Sequence, residues 1–270
     1  MQSPQFSDVG GNDPPWANSM YHALQVRFEK HFSQGVTFLT TYAWQKSIDD
    51  SSVAGGNVTW LGGTTSSTMQ DPNNRRLDRS LSQYDIAHIF QFSFQWELPI
   101  GRGKPVGGDM PAALSAVIGG WQTNGIYRLT GGQPIILYLS GGSSIPTYGG
   151  QRPNLTGPLS KAGNPTLDQY FADPSVAVKP DQYAIGTAPK TLSSVRSPGT
   201  NVASFSLFKD IGLGGIREGM KFQIRLESFN AFNHPTFCGP HTTVGLDDFG
   251  KTTCQANSPR QVQIGGKFVF

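Results

Sequence analysis

Two cysteines and a histidine are the first residues of this chain that invite chemistry. Cys238 and Cys254 share a Gly/Pro/Thr-rich segment, and His241 follows Cys238 three positions on. Those spacings make a poor zinc site, which needs four ligands in closely spaced pairs. A disulfide across the loop, formed in an oxidising compartment, is the preferred reading, and two free thiols are the alternative. The acidic pairs Asp49-Asp50 and Asp247-Asp248 carry the hard oxygens that calcium takes, but solvated loop pairs are the preferred reading. His22, His31 and His88 sit in alternating segments and read as wall or interface residues. His234 precedes Pro235 and reads as structural. There is no G-x-S-x-G, H-E-x-x-H, P-loop or strand-linked G-x-G-x-x-G, and Gly212-Leu213-Gly214-Gly215 reads as turn glycine. The expectation is a protein that is not an enzyme, with no catalytic residues, no metal and no cofactor.

The elements that would position these residues are strands. Charged residues are 14% of the 270, against roughly 25% in ordinary soluble domains. The 33 glycines, 19 prolines and 11% aromatics suit many strands joined by long irregular connections. A net charge of +3 without a basic run is too small and too dispersed to argue for a nucleic-acid partner, and none is expected. No apolar run reaches the roughly 18 residues of a transmembrane helix, which leaves a barrel open, because barrel strands turn only alternate residues to lipid. The first residues, Met1-Gln2-Ser3-Pro4-Gln5, lack the basic and apolar regions of a signal peptide. A mature portion or a truncated chain is expected.

Seven segments alternate with period two. In 21–32, Leu24, Val26, Phe28 and Phe32 oppose Gln25, Arg27, Glu29 and His31. In 36–48, Val36, Phe38, Tyr42 and Trp44 oppose Thr37, Thr41, Gln45 and Ser47. Segment 84–98 sets Tyr84, Ile86, His88, Phe90, Phe92, Phe94, Trp96 and Leu98 against Asp85, Gln91, Ser93, Gln95 and Glu97. Segment 119–131, with a continuation through 135–139, sets Trp121, Tyr127 and Leu129 against Gln122, Asn124 and Arg128. A short segment, 202–209, has Ala203, Phe205 and Leu207 on its apolar face; 220–230 sets Phe222, Ile224 and Leu226 against Lys221, Gln223, Arg225 and Glu227. The last strand puts Val262, Ile264, Phe268 and Phe270 opposite Gln261, Gln263 and Lys267. A terminal aromatic suits either a soluble edge strand or the final wall strand of an outer-membrane barrel.

The connections decide between them. Counting back from Phe270 as the periplasmic end, 33–35, 99–118 and 210–219 fall inside, and 49–83, 131–201 and 232–259 fall outside. The first set runs from three to about twenty residues and the second from about twenty-eight to about seventy, the short-inside, long-outside asymmetry of outer-membrane barrels. The expected fold is therefore all-β: an antiparallel transmembrane β-barrel wall of about seven long strands, a partial barrel, with long extracellular loops.

Segment 222–237 carries a resemblance. Arg225, Glu227, Phe229, Asn230, Phe232, Asn233, His234, Pro235 and Phe237 match an R-x-E-x-F-N-x-F-N-H-P-x-F stretch, and this stretch resembles the penultimate wall strand of TonB-dependent, Oar-like receptors of the acidobacterial type. Other pieces are similar in the same order: 21–28, 98–104 (Leu-Pro-Ile-Gly-Arg-Gly-Lys), 119–122 and Phe208-Lys209-Asp210. In that family Gln263, Gly265, Phe268 and Phe270 would form the C-terminal signal read by the barrel-assembly machinery. Such receptors have roughly 22 wall strands around a plug, and Oar-like members carry a carboxypeptidase-regulatory-like domain before it. Neither is visible here. The resemblance implies that residues 1–270 are the C-terminal portion of a receptor barrel in the bacterial outer membrane, a multi-pass segment that helps take up a ligand. Its partners would be outer-membrane lipid, the assembly machinery, the rest of the receptor and through it TonB, and an unidentified extracellular ligand. Trp60, Tyr148, Tyr170 and Tyr183, in the long loops, would meet that ligand. The rival expectations are a small autonomous barrel serving as a structural protein or adhesin, and a secreted carbohydrate-binding β-sandwich.

Overall fold

The computed structural model describes residues 17–50, 70–71, 74–141, 151–213 and 219–270. Seven long strands form one antiparallel sheet: β1 (Ser19–Ser33), β2 (Val36–Asp49), β3 (His88–Glu97), β4 (Trp121–Thr130), β5 (Thr200–Gly212), β6 (Lys221–Phe229) and β7 (Gln261–Val269). Each pairs with the next in chain order. A short strand, Ser80–Leu81, adds to β2 beyond the end of β3. Among the described residues the sheet is open, with β1 and β7 at its two edges.

The register carries the alternation across the whole sheet. Val26, Tyr42, Phe90 and Leu129 lie side by side on one face. Leu207, Leu226 and Ile264 do the same further round. The opposite face sets Arg27, Thr41, Gln91 and Arg128 in a row. A one-residue slip at any pairing would interleave the two sets. The apolar face has no second layer: Phe28, Trp44, Leu226, Val262 and Phe268 on it are all exposed. A chain of rings crosses it, Phe28–Phe38 (5.5 Å), Phe38–Phe92 (6.1 Å), Phe92–Phe94 (5.7 Å) and Phe94–Phe205 (6.3 Å between centroids).

The short connections lie at one end of the sheet and the long ones at the other. The β1–β2 turn is Gln34-Gly35, both at positive φ (54° and 78°), the backbone that joins strands of native twist. The β3–β4 connection holds the single described α-helix, α1 (Ala112–Ile118).

The long connections differ from expectation in being folded together. Ile135, Leu137, Leu159, Tyr170, Phe171, Ala177, Leu192, Val195 and Val244 form one buried core. It draws on the segments after β4 and after β6, and backbone bonds from Tyr170 to Gly250 (2.9 Å) and from Thr252 to Leu167 (2.6 Å) tie those two connections together. The segment before β3 joins through ion pairs.

Three strand boundaries also differ. The alternation beginning at Tyr84 becomes a strand only at His88. Asp85 Oδ1 accepts the Ser47 N–H (2.6 Å) in place of a partner carbonyl, so 83–86 bulge out of the ladder between Ala87 and Ser82. The continuation through 135–139 is two separate pairs, Pro134–Ile135 and Tyr138–Leu139, which join the loop layer instead. The segment expected to be short, 202–209, is a 13-residue strand. The ends beyond that segment, Thr200-Asn201 and Asp210 to Gly212, carry no apolar alternation, which hid its length.

Candidate functional site

The polar face of the wall is a hydrogen-bonded surface around β5, β6 and β7. Asp210 accepts from Lys221 Nζ (2.6 Å) and Gln223 Nε2 (2.6 Å) across β5 and β6. Arg225 Nε donates to Gln223, and its guanidinium lies 5.9 Å from the Phe208 ring centre. Gln263 donates to Glu227 (2.5 Å). Arg27 and Glu29 pair on β1. Charged groups in the ladder regions of a membrane wall belong on a wet lumen, where they meet water and each other.

Over the long-connection end the loop layer is held by buried ion pairs. Arg152 reaches Asp78 (2.9 Å) and the Leu77 carbonyl (2.9 Å). Burial pushes the Asp78 carboxyl up and the Arg152 guanidinium down, each opposed by the charge of the other. Asp78 Oδ2 and Arg152 Nε find no hydrogen-bond partner, so desolvation dominates this pair. Lys190 binds Asp49 through both its carboxylate and its carbonyl. Arg196 grips Asp85 (2.5 Å) and the Gly132 carbonyl (3.0 Å). Gln70, fully buried, accepts from Arg152 N (2.8 Å) and Gly186 N (3.0 Å) and donates to the Gly186 carbonyl (3.0 Å).

The residues singled out by resemblance take distinct places. Arg225 and Glu227 face the lumen side. Asn230 and Asn233 occupy left-handed backbone (φ 47° and 52°), which asparagine tolerates better than most side chains. Asn230 Oδ1 accepts from His234 N (2.9 Å), its Nδ2 donates to the carbonyls of His234 (3.1 Å) and Ser258 (3.0 Å), and Asn233 Oδ1 accepts from Arg260 N (3.0 Å). The two asparagines therefore turn the chain off β6 and hold the root of β7. Phe232 folds back onto Phe205 on the apolar face (5.7 Å). With Phe92, Phe94, Tyr127 and His234 it lines a groove there of about 470 Å³. Phe229 is exposed at the end of β6, Pro235 follows the turn, and Phe237 bridges to Gln255. Gln263 and Gly265 lie on the polar face of β7; Phe268 packs on Phe222 (4.6 Å), and Phe270 is 80% exposed.

Cys238 and Cys254 are bonded to each other, and Cys238 N–H donates to the Cys254 carbonyl (3.0 Å). His241 is not drawn toward them. Its Nδ1 meets Asp248 (2.8 Å) and its Nε2 meets Thr253 Oγ1 (2.8 Å). Among the described residues no group of histidine, cysteine and carboxylate is arranged to hold a metal.

Two readings need correction. Tyr170 does not meet ligand: it is 3% exposed, its hydroxyl donates to the Arg196 carbonyl (2.5 Å), and burial pushes its phenol up to about 12. Asp49 and Asp50 are not a solvated pair, since Asp49 is buried on Lys190 and Asp50 meets Arg75 (2.8 Å). Tyr183 is exposed, at φ 64°. Trp60, Tyr148, Gly214-Gly215 and Met1 to Gln5 lie outside the described residues.

Sequence reading missed one feature of the layer, a cleft of about 360 Å³ where three connections meet. Gln83, Tyr84, Gln133, Tyr138, Pro240 and Thr242 line it, and no charged side chain does. Tyr84 and Tyr138 come from segments read as strand, which concealed them.

The sequence matches the family model described as an outer membrane beta barrel domain over residues 2–263. No curated protein matches the chain, and no solved structure does. The chain belongs to the outer membrane beta barrel domain family.

Proposed function

We propose that this member of the outer membrane beta barrel domain family is the C-terminal wall portion of a TonB-dependent, Oar-like receptor that takes up an extracellular ligand. The open sheet carries the reading. A strand edge in hydrocarbon leaves its N–H and C=O groups without partners, at several kcal/mol each. The outer edges of β1 and β7 therefore call for further wall strands, and the seven long strands among the described residues are an odd number for a bacterial single-chain barrel. The rest of the receptor supplies those strands and the plug, and the plug couples to TonB at the inner membrane. The barrel-assembly machinery engages β7 through its aromatic end.

The chain's role in this scheme is transport, not catalysis, and it needs no cofactor. Its folded layer forms part of the capture surface, with the uncharged Tyr84–Tyr138 cleft and exposed Tyr183 as contacts. Sequencing the DNA upstream of the Met1 codon tests the proposal. The expected result is an in-phase frame running through more alternating strands, a plug and a signal peptide. A stop codon close upstream, with a ribosome-binding site before Met1, overturns it in favour of a small autonomous barrel.

A further inference from the structure

Lys209 occupies an anomalous place. Its register partners are Trp121 and Ile224, so it belongs to the apolar face of the wall. A lysine facing lipid is costly. Yet Lys209 is only 7% exposed, and its ammonium donates to three carbonyls, those of Ala116 (2.5 Å), Val117 (3.0 Å) and Gly119 (2.6 Å). Those are the orphan acceptors at the C-terminal end of α1, where the helix carries partial negative charge. The Trp121 ring lies 5.6 Å from the ammonium, and its indole N–H donates to the Val117 carbonyl (3.1 Å). Gly119 permits the close fit, because a Cβ there would stand 2.8 Å from the Ser115 carbonyl oxygen and 3.0 Å from Gly101 Cα.

The helix is therefore clasped to the outer face of β4 and β5, on the side that meets the membrane. Its own outward side chains are apolar: Leu114, Val117 (67% exposed) and Ile118. From Met110 to Gln122 the chain has no charged side chain. This surface continues the apolar face of the sheet at the end with the short connections.

We propose that α1 is an in-plane membrane anchor. It lies in the glycerol and upper acyl region of the phospholipid leaflet at the short-connection end, and Lys209 holds it there as an internal clasp with its charge spent on the helix. The occupant of this surface is the phospholipid bilayer. The inference rests on the membrane-facing side of the wall, not on ligand uptake, so either can fail alone.

The test places a fluorophore on Val117→Cys in the protein extracted whole from outer membranes, with the wall edges closed as they are in the cell and Cys238 and Cys254 bonded to each other, and returned to phosphatidylethanolamine/phosphatidylglycerol vesicles. A label on Asp109→Cys, in the exposed turn before the helix, is the comparator. The expected result is quenching of the Val117 label by lipids brominated high on the acyl chain, with iodide quenching roughly three-fold or more below that of the Asp109 label, as for an interfacial helix. Equal iodide quenching at the two sites overturns the anchor. In a Lys209→Met background the Val117 label is expected to approach the comparator, and an unchanged label overturns the clasp. Alkylation rates of the same thiols in isolated outer membranes give the same readout without reconstitution.

Discussion

The wall and the loop layer are built from one chain with opposite insides. On the wall, Ile264 and Phe270 are each 80% exposed, whereas in the layer Phe171 is 1% exposed and Val195 wholly buried. The wall keeps its apolar residues outward because lipid is their solvent, and it is held together by ladders of backbone bonds between neighbouring strands. The layer faces water and is held by a hydrophobic core and buried charges. A residue's type alone does not say what it contributes; the solvent of its region does.

Matched truncations break this comparison most sharply. Phe171→Ala, which empties a site between Tyr170 and Phe249, is expected to cost the layer about 4 kcal/mol. Ile264→Ala on the wall is expected to cost under about 1 kcal/mol in lipid, since lipid fills the space. Hydrogen exchange of layer and wall amides measures both, and equal losses would sink the two-solvent account. Next, Asp78→Ala leaves Arg152 buried without its carboxylate and is expected to cost the layer about 3 kcal/mol. Replacing both partners, Asp78→Leu with Arg152→Met, is expected to recover most of that, because desolvation already dominates the pair. A double variant as weak as the single one would show that the charges themselves stabilise.

Alkali should loosen the layer more gently. With its phenol raised to about 12, Tyr170 holds its proton more tightly in the folded layer than in the unfolded chain. Its contribution is full below about pH 10 and is lost as pH climbs from there through about 12, roughly 3 kcal/mol in all. Tyr170→Phe should flatten that part of the profile; an unchanged profile assigns it to other groups. The smallest effect on folded stability is expected from Phe270→Ser, within about 0.5 kcal/mol at an exposed terminus. Its effect should appear in assembly, as less protein inserted in the outer membrane, and normal insertion would remove the signalling role of the terminal aromatic.

The wall was legible because period two is a local property. The faces of β1, β2, β6 and β7 follow from side-chain type alone, and the lengths of the connections placed the ends. The layer was not legible because its contacts are neither periodic nor local. Lys190 meets a partner 141 positions away, and Arg196 meets one 111 away. Tyr170 and exposed Tyr183 look alike as loop tyrosines, yet only Tyr170 enters the core. The resemblance singled out Asn230 and Asn233, but their left-handed turns needed coordinates. Lys209 was within reach: the alternation that put Ala203, Phe205 and Leu207 on the apolar face puts the lysine there too, and that anomaly was the available signal of a covering helix.

The distances along the chain between joined parts of the layer also set an order in time. A strand pair closed through Gln34-Gly35 needs only neighbouring residues, and such hairpins form in about 1–10 μs. The layer cannot complete its Tyr170–Gly250 bond until residues some eighty positions apart have both arrived, and widely separated pairings form late. The β1–β2 hairpin is thus quick to form, whereas wall pairings across the long connections, such as Thr200 with Thr130, wait on distant residues as the layer does. Time-resolved exchange that found layer amides protected before those of β1 and β2 would reverse that sequence.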